Sequence, residues 1–198
     1  MVFNIPNSLT WARILMIPLF VGVFYAPHAW LTPSEQNLIA TVIFILAAVT
    51  DWFDGYLARI LGQTSAFGEF LDPVADKLMV AAALIVLVQL GRTDALIAVI
   101  IIGREIAISA LREWMAKMGA ARSVAVSFVG KVKTTAQMVA IPMLLFHSRF
   151  LGLNMQQVGT WLVWLAALLT LWSLGYYMRM AWPELSGRNG RRTRLDSE

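Results

Sequence analysis

Four aspartates, Asp51, Asp54, Asp72 and Asp76, stand in the stretch TDWFDGYLARILGQTSAFGEFLDPVADKLMV between two apolar runs, LIATVIFILAAV and LMVAAALIVLVQL. Asp51 and Asp54 are spaced i,i+3, and Asp72 and Asp76 i,i+4, so each pair shares one face of a helix. A short connection makes the two helices antiparallel neighbours, which predicts that all four carboxylates meet in one small volume. Like charges that close repel strongly in a medium of low dielectric. They persist either as partly protonated acids or around a cation. An all-oxygen ligand set without His or Cys suits a hard ion, Mg²⁺ or Mn²⁺ with Ca²⁺ as a possible occupant, over zinc or copper. Four carboxylates have room for two such ions, an arrangement that serves phosphoryl displacement. The plainer alternative is a set of interfacial loop residues and helix caps, with Asp72 before Pro73 marking a helix start.

Small residues lie beside the acids. Gly55 and Ala58 follow Asp51 on nearly the same face, leaving space for a bulky polar ligand against the backbone. Arg59 adds a donor for phosphate or a base edge, and Gly68 opens the next helix. Close helix packing would use the same small residues.

These elements sit in an apolar chain. It has 198 residues, 59% hydrophobic and 14% charged, against about 25% charged in a soluble domain. A bilayer crossing needs about 20 apolar residues, and hydropathy with the breakers PHAWLTPS, LGQTS, GRTD, MGAARS and HSRFLGLN divides the chain into six segments. The expected fold class is therefore all-α, a polytopic membrane protein of six transmembrane helices. The segments run near Leu9–Tyr25, Gln36–Leu61, Phe67–Leu90, Asp94–Lys117, Ser123–Phe146 and Gln156–Trp182, the last stopping at Pro183. Residues 1–183 form one membrane domain and 184–198 a basic tail. The apolar run after MVFNIPNSLTWAR lacks a basic leader and a good cleavage site, so it reads as a retained helix.

Lys and Arg in short loops set the orientation. With the N-terminus cytoplasmic, the inside carries Arg59, Lys117, Arg122 and the tail arginines, and the outside only Arg92 and Arg149. Both termini are thus expected inside, and the acidic stretch with them. Trp11, Trp30, Trp161 and Trp182 fall near helix ends, where indole favours the interface. The net charge of +4 comes largely from the tail, which suits anionic headgroups better than nucleic acid. With no cysteine, disulfides and thiolate metal sites are excluded.

A second polar cluster lies on the fourth and fifth segments. Arg104 and Arg112 are eight residues apart, on roughly one helix face, and Lys131 and Lys133 stand at the foot of an apolar span. Such cations need anions. Glu105 and Glu113 supply them in a purely structural reading, and a phosphate-bearing substrate does so in a functional one. His28 and His147 fall on the outer side, with no expected role.

Read as D-x2-D-G-x2-A-R-x8-G-x3-D-x3-D, residues 51–76 match all eight fixed positions of the CDP-alcohol phosphotransferase signature, and the chain resembles that family of integral membrane enzymes. The resemblance implies a six-helix fold, usually a homodimer, in the bacterial cytoplasmic (inner) membrane with its active site facing the cytoplasm. It implies that Asp51, Asp54, Asp72 and Asp76 hold two divalent cations on a CDP-linked donor, that Gly55, Ala58, Arg59 and Gly68 accommodate the nucleotide, and that Asp76 is the general base. NIPNSLTWARILMIPLF, GREIAISALREW and VGKVKTTAQM further resemble the bacterial members that use CDP-diacylglycerol and glycerol 3-phosphate. That implies acceptor phosphate binding by Arg104, Arg112, Lys131 and Lys133. Asn7, Thr10 and Arg13 could reach the donor headgroup, or Asn7 or Ser8 could cap a helix. Inositol phosphate or a lipid alcohol stays open as acceptor. A cation or proton transporter would spread its acids along a path, whereas these bunch within 26 residues.

Overall fold

The structure is a computed structural model that describes residues 5–61, 66–117, 128–150 and 152–185. Its helices are α1 (Ile5–Val23), α2 (Pro33–Leu61), α3 (Ala66–Gln89), α4 (Ala95–Lys117), α5 (Phe128–Phe146) and α6 (Met155–Leu185). Between α5 and α6 a two-stranded antiparallel ribbon, β1 (Arg149–Phe150) and β2 (Leu153–Asn154), replaces the expected loop. Gly152 turns it at φ 80°, a left-handed conformation that glycine adopts without strain.

Helix ends follow local chemistry. The segment TPSE forms a capping box: the Thr32 hydroxyl accepts from the Glu35 amide, and the Glu35 carboxylate accepts from the Thr32 amide. This starts α2 at Pro33, three residues before the expected Gln36. Asp94 accepts from the Leu96 amide at 2.7 Å, capping α4. At the end of α3 the Arg92 amide reaches back to the Leu87 carbonyl and Gly91 to Val88, with Gly91 at φ 67°. That is a Schellman ending. Helix α3 runs from Ala66 through Pro73, as the expected Phe67–Leu90 segment has it, which rules out the alternative of a helix start at Pro73, whereas α6 continues past the expected stop at Pro183 to Leu185. Asp72 therefore lies inside a helix and does not cap one. The expected start of α5 at Ser123 falls outside the described residues.

The core draws on all six helices, with Phe20, Phe44, Leu84, Leu87, Ile101, Ile141, Leu144 and Val163 among its buried members. The closest packing is between α5 and α6, where a Cβ on Gly159 would lie 2.9 Å from Leu144 Cγ and 3.2 Å from the Ala140 carbonyl oxygen. The expected α2–α3 pairing is corrected in one respect. Helix α1 packs on both α2 and α3 more extensively than those two pack on each other. Residues of α1 thereby stand beside the acids of both helices.

Long apolar side chains face outward on every helix, among them Leu15, Leu19, Ile85, Val99, Trp161, Leu168 and Trp172. The segments Pro33–Asp51 and Met155–Met180 are long and apolar enough to cross a membrane by length and composition. Helices α3 and α4 carry charge in one half, from Asp72 to Lys77 and from Arg104 to Lys117, so they do not read as simple apolar spans. At the end of the bundle away from these charges, Arg92 donates to the Leu144 and Leu145 carbonyls and to Asn37. It ties the α3–α4 turn to α2 and to the C-terminus of α5.

Candidate functional site

Helix α1 reaches the described acids of both α2 and α3. Arg13 of α1, 1% exposed, pairs with Asp51 of α2 at 2.7 Å, and that carboxylate is itself 46% exposed. Thr10, one helical turn earlier, donates its hydroxyl to Asp72 of α3 at 2.5 Å. Asp76 lies within electrostatic reach of Asp51, Arg13, Lys77 and Glu105, and it lines a small crevice with Arg13, Ala47, Ala48 and Met138. From i,i+3 spacing the sequence left Thr10 and Arg13 between a donor headgroup and a plain helix start; tertiary packing puts both directly on the acids.

Among the described residues, no three His, Cys, Asp or Glu side chains come close enough to hold one ion between them. The backbone of Asp54, Gly55, Ala58 and Arg59 is helical in α2, and their side chains fall outside the described residues, as do those of Asn7 and Lys131. Gly68 is buried in the first turn of α3. Mg²⁺ takes one or two carboxylates with substrate phosphates completing its shell, and Asp51, more exposed than Asp72 or Asp76, could serve as one of them once its pairing with Arg13 yields.

Behind the acids lies the basic cluster. Glu105 of α4 contacts Lys133 of α5, and it accepts from Arg104 Nη1 at 3.2 Å. Lys133 is fully buried and Arg104 nearly so, so the carboxylate offsets two cations that water hardly reaches. Arg104 Nη2 also donates to Ser173 Oγ of α6 at 3.0 Å, and Ser173 donates to the Thr170 carbonyl. Arg112 does not pair with Glu113 as the structural reading expected. Glu113 takes Lys117 at i,i+4. Arg112 Nη2 instead donates to the Tyr177 hydroxyl at 3.2 Å.

Tyr177 and Ser173 are the residues sequence reasoning missed. Tyr177 is fully buried, with the guanidinium carbons of Arg104 and Arg112 at 5.6 and 5.4 Å from its ring centre. Its place four residues after Ser173 in a mostly apolar stretch of α6 was a usable signal, since both face one side.

The arrangement sets the exposed Asp51 and the half-buried Asp72 and Asp76 beside a cluster of three cations, the buried Arg104 and Lys133 and the half-buried Arg112, with one carboxylate, Glu105. Carboxylates can hold a hard cation, and clustered guanidinium and ammonium groups can hold a phosphate. The model of the family described as CDP-alcohol phosphatidyltransferase matches residues 3–172. A protein of Salmonella paratyphi A named CDP-diacylglycerol–glycerol-3-phosphate 3-phosphatidyltransferase is 49% identical over 183 residues, covering 91% of this chain and 96% of that one. Relatives of the same name from Shigella flexneri serotype 5b and Pectobacterium atrosepticum are 50% and 49% identical, covering 93% and 91% of this chain and 98% and 96% of their own. With both charge clusters and the eight-position signature inside the matched span, this chain belongs to the CDP-alcohol phosphatidyltransferase family.

Proposed function

We propose that this protein transfers the phosphatidyl group from CDP-diacylglycerol to glycerol 3-phosphate, giving phosphatidylglycerol phosphate and CMP. It is a transferase of phospholipid biosynthesis. The observation that carries this reading is the adjacency of the Asp51–Asp72–Asp76 group to the buried Arg104–Lys133 cluster, in a chain half identical to relatives bearing that enzyme name.

In the proposed reaction the acceptor hydroxyl oxygen bonds to the diacylglycerol-bearing phosphorus as the bond to CMP breaks, and Asp76 takes the hydroxyl proton. Asp51, Asp54, Asp72 and Asp76 would hold two divalent cations, Mg²⁺ or Mn²⁺, which supply charge compensation to the pyrophosphate and the departing CMP. Arg13 and Thr10 orient Asp51 and Asp72 and, with Asn7, lie toward the donor headgroup. Gly55, Ala58, Arg59 and Gly68 accommodate the nucleotide. Arg104, Arg112, Lys131 and Lys133 receive the acceptor phosphate.

The same proposal sets all six helices across the bacterial inner membrane with both termini and the site cytoplasmic. It is supported by the outward apolar side chains, by the exposure of Trp30, Trp161 and Trp182 near helix ends, and by the Lys and Arg distribution. A homodimer is part of the reading on the family resemblance.

The test is CMP release by the purified, lipid-reconstituted protein, with Mg²⁺ or Mn²⁺ and glycerol 3-phosphate each present or omitted. Release is expected only with both. Equal release with inositol phosphate or a lipid alcohol in place of glycerol 3-phosphate would overturn the acceptor, and release unaffected by chelation would overturn the metals. Asp76→Asn is expected to lower kcat by about 10²–10⁴; unchanged turnover removes Asp76 from the base role.

A further inference from the structure

Arg104 and Arg112 pose an electrostatic problem that proximity to Glu105 solves only for Arg104. Eight residues of helix separate their backbones by about 12 Å, yet their guanidiniums both come to the ring of Tyr177 from α6. That ring is fully buried, and its hydroxyl accepts from Arg112 Nη2. Among the described residues, Arg104 Nε and Arg112 Nε, both buried, find no acceptor. Two arginines therefore keep N–H groups in hand in a region where unpaired donors are costly.

A carboxylate in place of Tyr177 would also hold the arginines, but it would cancel their charge. The aromatic face attracts a guanidinium through its quadrupole and carries no net charge. The arginines thus stay fixed, and their charge stays available to an anion.

We propose that Tyr177 is the positioning residue of the acceptor site, a neutral clamp that holds Arg104 and Arg112 so that their spare N–H groups meet a phosphomonoester dianion. The inference rests on the reading that these arginines receive the acceptor phosphate. Tyr177 itself touches no reacting atom; it acts through the guanidiniums. Its ring sets their position and its hydroxyl sets the rotation of Arg112. With Glu105 neutralising one of the three cations, the cluster keeps an excess positive charge that matches a monoester better than a singly charged diester.

The experiment is steady-state CMP release by the reconstituted full-length protein, varying glycerol 3-phosphate and CDP-diacylglycerol separately. Tyr177→Leu removes the ring. It is expected to raise KM for glycerol 3-phosphate by about tenfold or more, the effect of removing two cation–π interactions from a desolvated site. KM for CDP-diacylglycerol and kcat should move less than about threefold, as for an interaction made equally in ground and transition states. Tyr177→Phe keeps the ring and should raise the acceptor KM less than Tyr177→Leu does; it also carries the test if the leucine variant does not fold. An unchanged acceptor KM in both, or equal losses in both KM values and kcat, overturns the clamp. Arg104→Lys and Arg112→Lys separate the two readings. If they raise the acceptor KM while the Tyr177 variants do not, only the clamp fails. If none of the four moves it, the acceptor site itself fails.

Discussion

Glu105 offers the sharpest test of how this bundle tolerates buried charge. Its carboxylate is 26% exposed, whereas the Lys133 and Arg104 side chains it contacts are 1% and 6% exposed. The two ends of the pair are therefore unequal. Glu105→Ala leaves Lys133 charged and dry with no carboxylate, and breaking a buried pair from one side costs about 3–5 kcal/mol. Arg104 is cushioned, because Ser173 and the Tyr177 ring remain. Lys133→Met removes the drier charge and leaves Glu105 partly hydrated and still on Arg104, so its cost should be about 1–2 kcal/mol. The double variant should be more stable than Glu105→Ala alone, since the orphaned ammonium is gone. For a chain of this length, 3–5 kcal/mol corresponds to a melting shift on the order of 10 °C. Thermal unfolding of the four proteins in one detergent, followed by loss of the monodisperse peak, gives the cycle. If Glu105→Ala melts with the wild type, or the double variant melts below both single ones, then Glu105 is not the counter-ion of Lys133.

Two further outcomes follow from the other end of the bundle. Gly159→Ala places a methyl 2.9 Å from Leu144 Cγ and close to the Ala140 carbonyl, so it should cost about 1–3 kcal/mol through overpacking of α5 on α6; an unchanged melting temperature would mean that these helices separate freely. His147, in the turn after α5, has its pKa lowered from 6.5 by burial and by the charge of Arg92. The unfolded chain then binds this proton more readily than the folded one, so stability should fall as pH drops from the unfolded pKa through the lower folded one, and level off below it. Comparing melting at pH 7.5 and 5.5 in wild type and His147→Asn, a residue that tolerates the φ of 55°, should show the smaller loss in the variant; equal losses place the effect elsewhere.

The candidate residues were legible in the sequence because their signals are local. Spacings of three and four residues place Asp51 with Asp54 and Asp72 with Asp76 on common faces of any helix that carries them. Apolar runs and breakers divide the helices for the same reason, and where boundaries were missed, as at Pro33, the TPSE capping signal was present but unused. Other expectations depended on partners far along the chain. Thr10 meets Asp72 across 62 residues, Lys133 meets Glu105 across 28, and Arg112 meets Tyr177 across 65. No spacing rule reaches such pairs, because their contact is decided by which helix packs on which. The insertion of α1 against both α2 and α3 turned Thr10 and Arg13 into partners of the acids. The packing of α6 on α4 assigned Arg112 to an aromatic ring instead of the neighbouring Glu113. By itself, then, the sequence determined which side chains could do the chemistry, since helical periodicity is intrinsic to the backbone. Tertiary structure alone decided which charges face one another and which are buried, because burial and pairing belong to helix packing and not to any single helix.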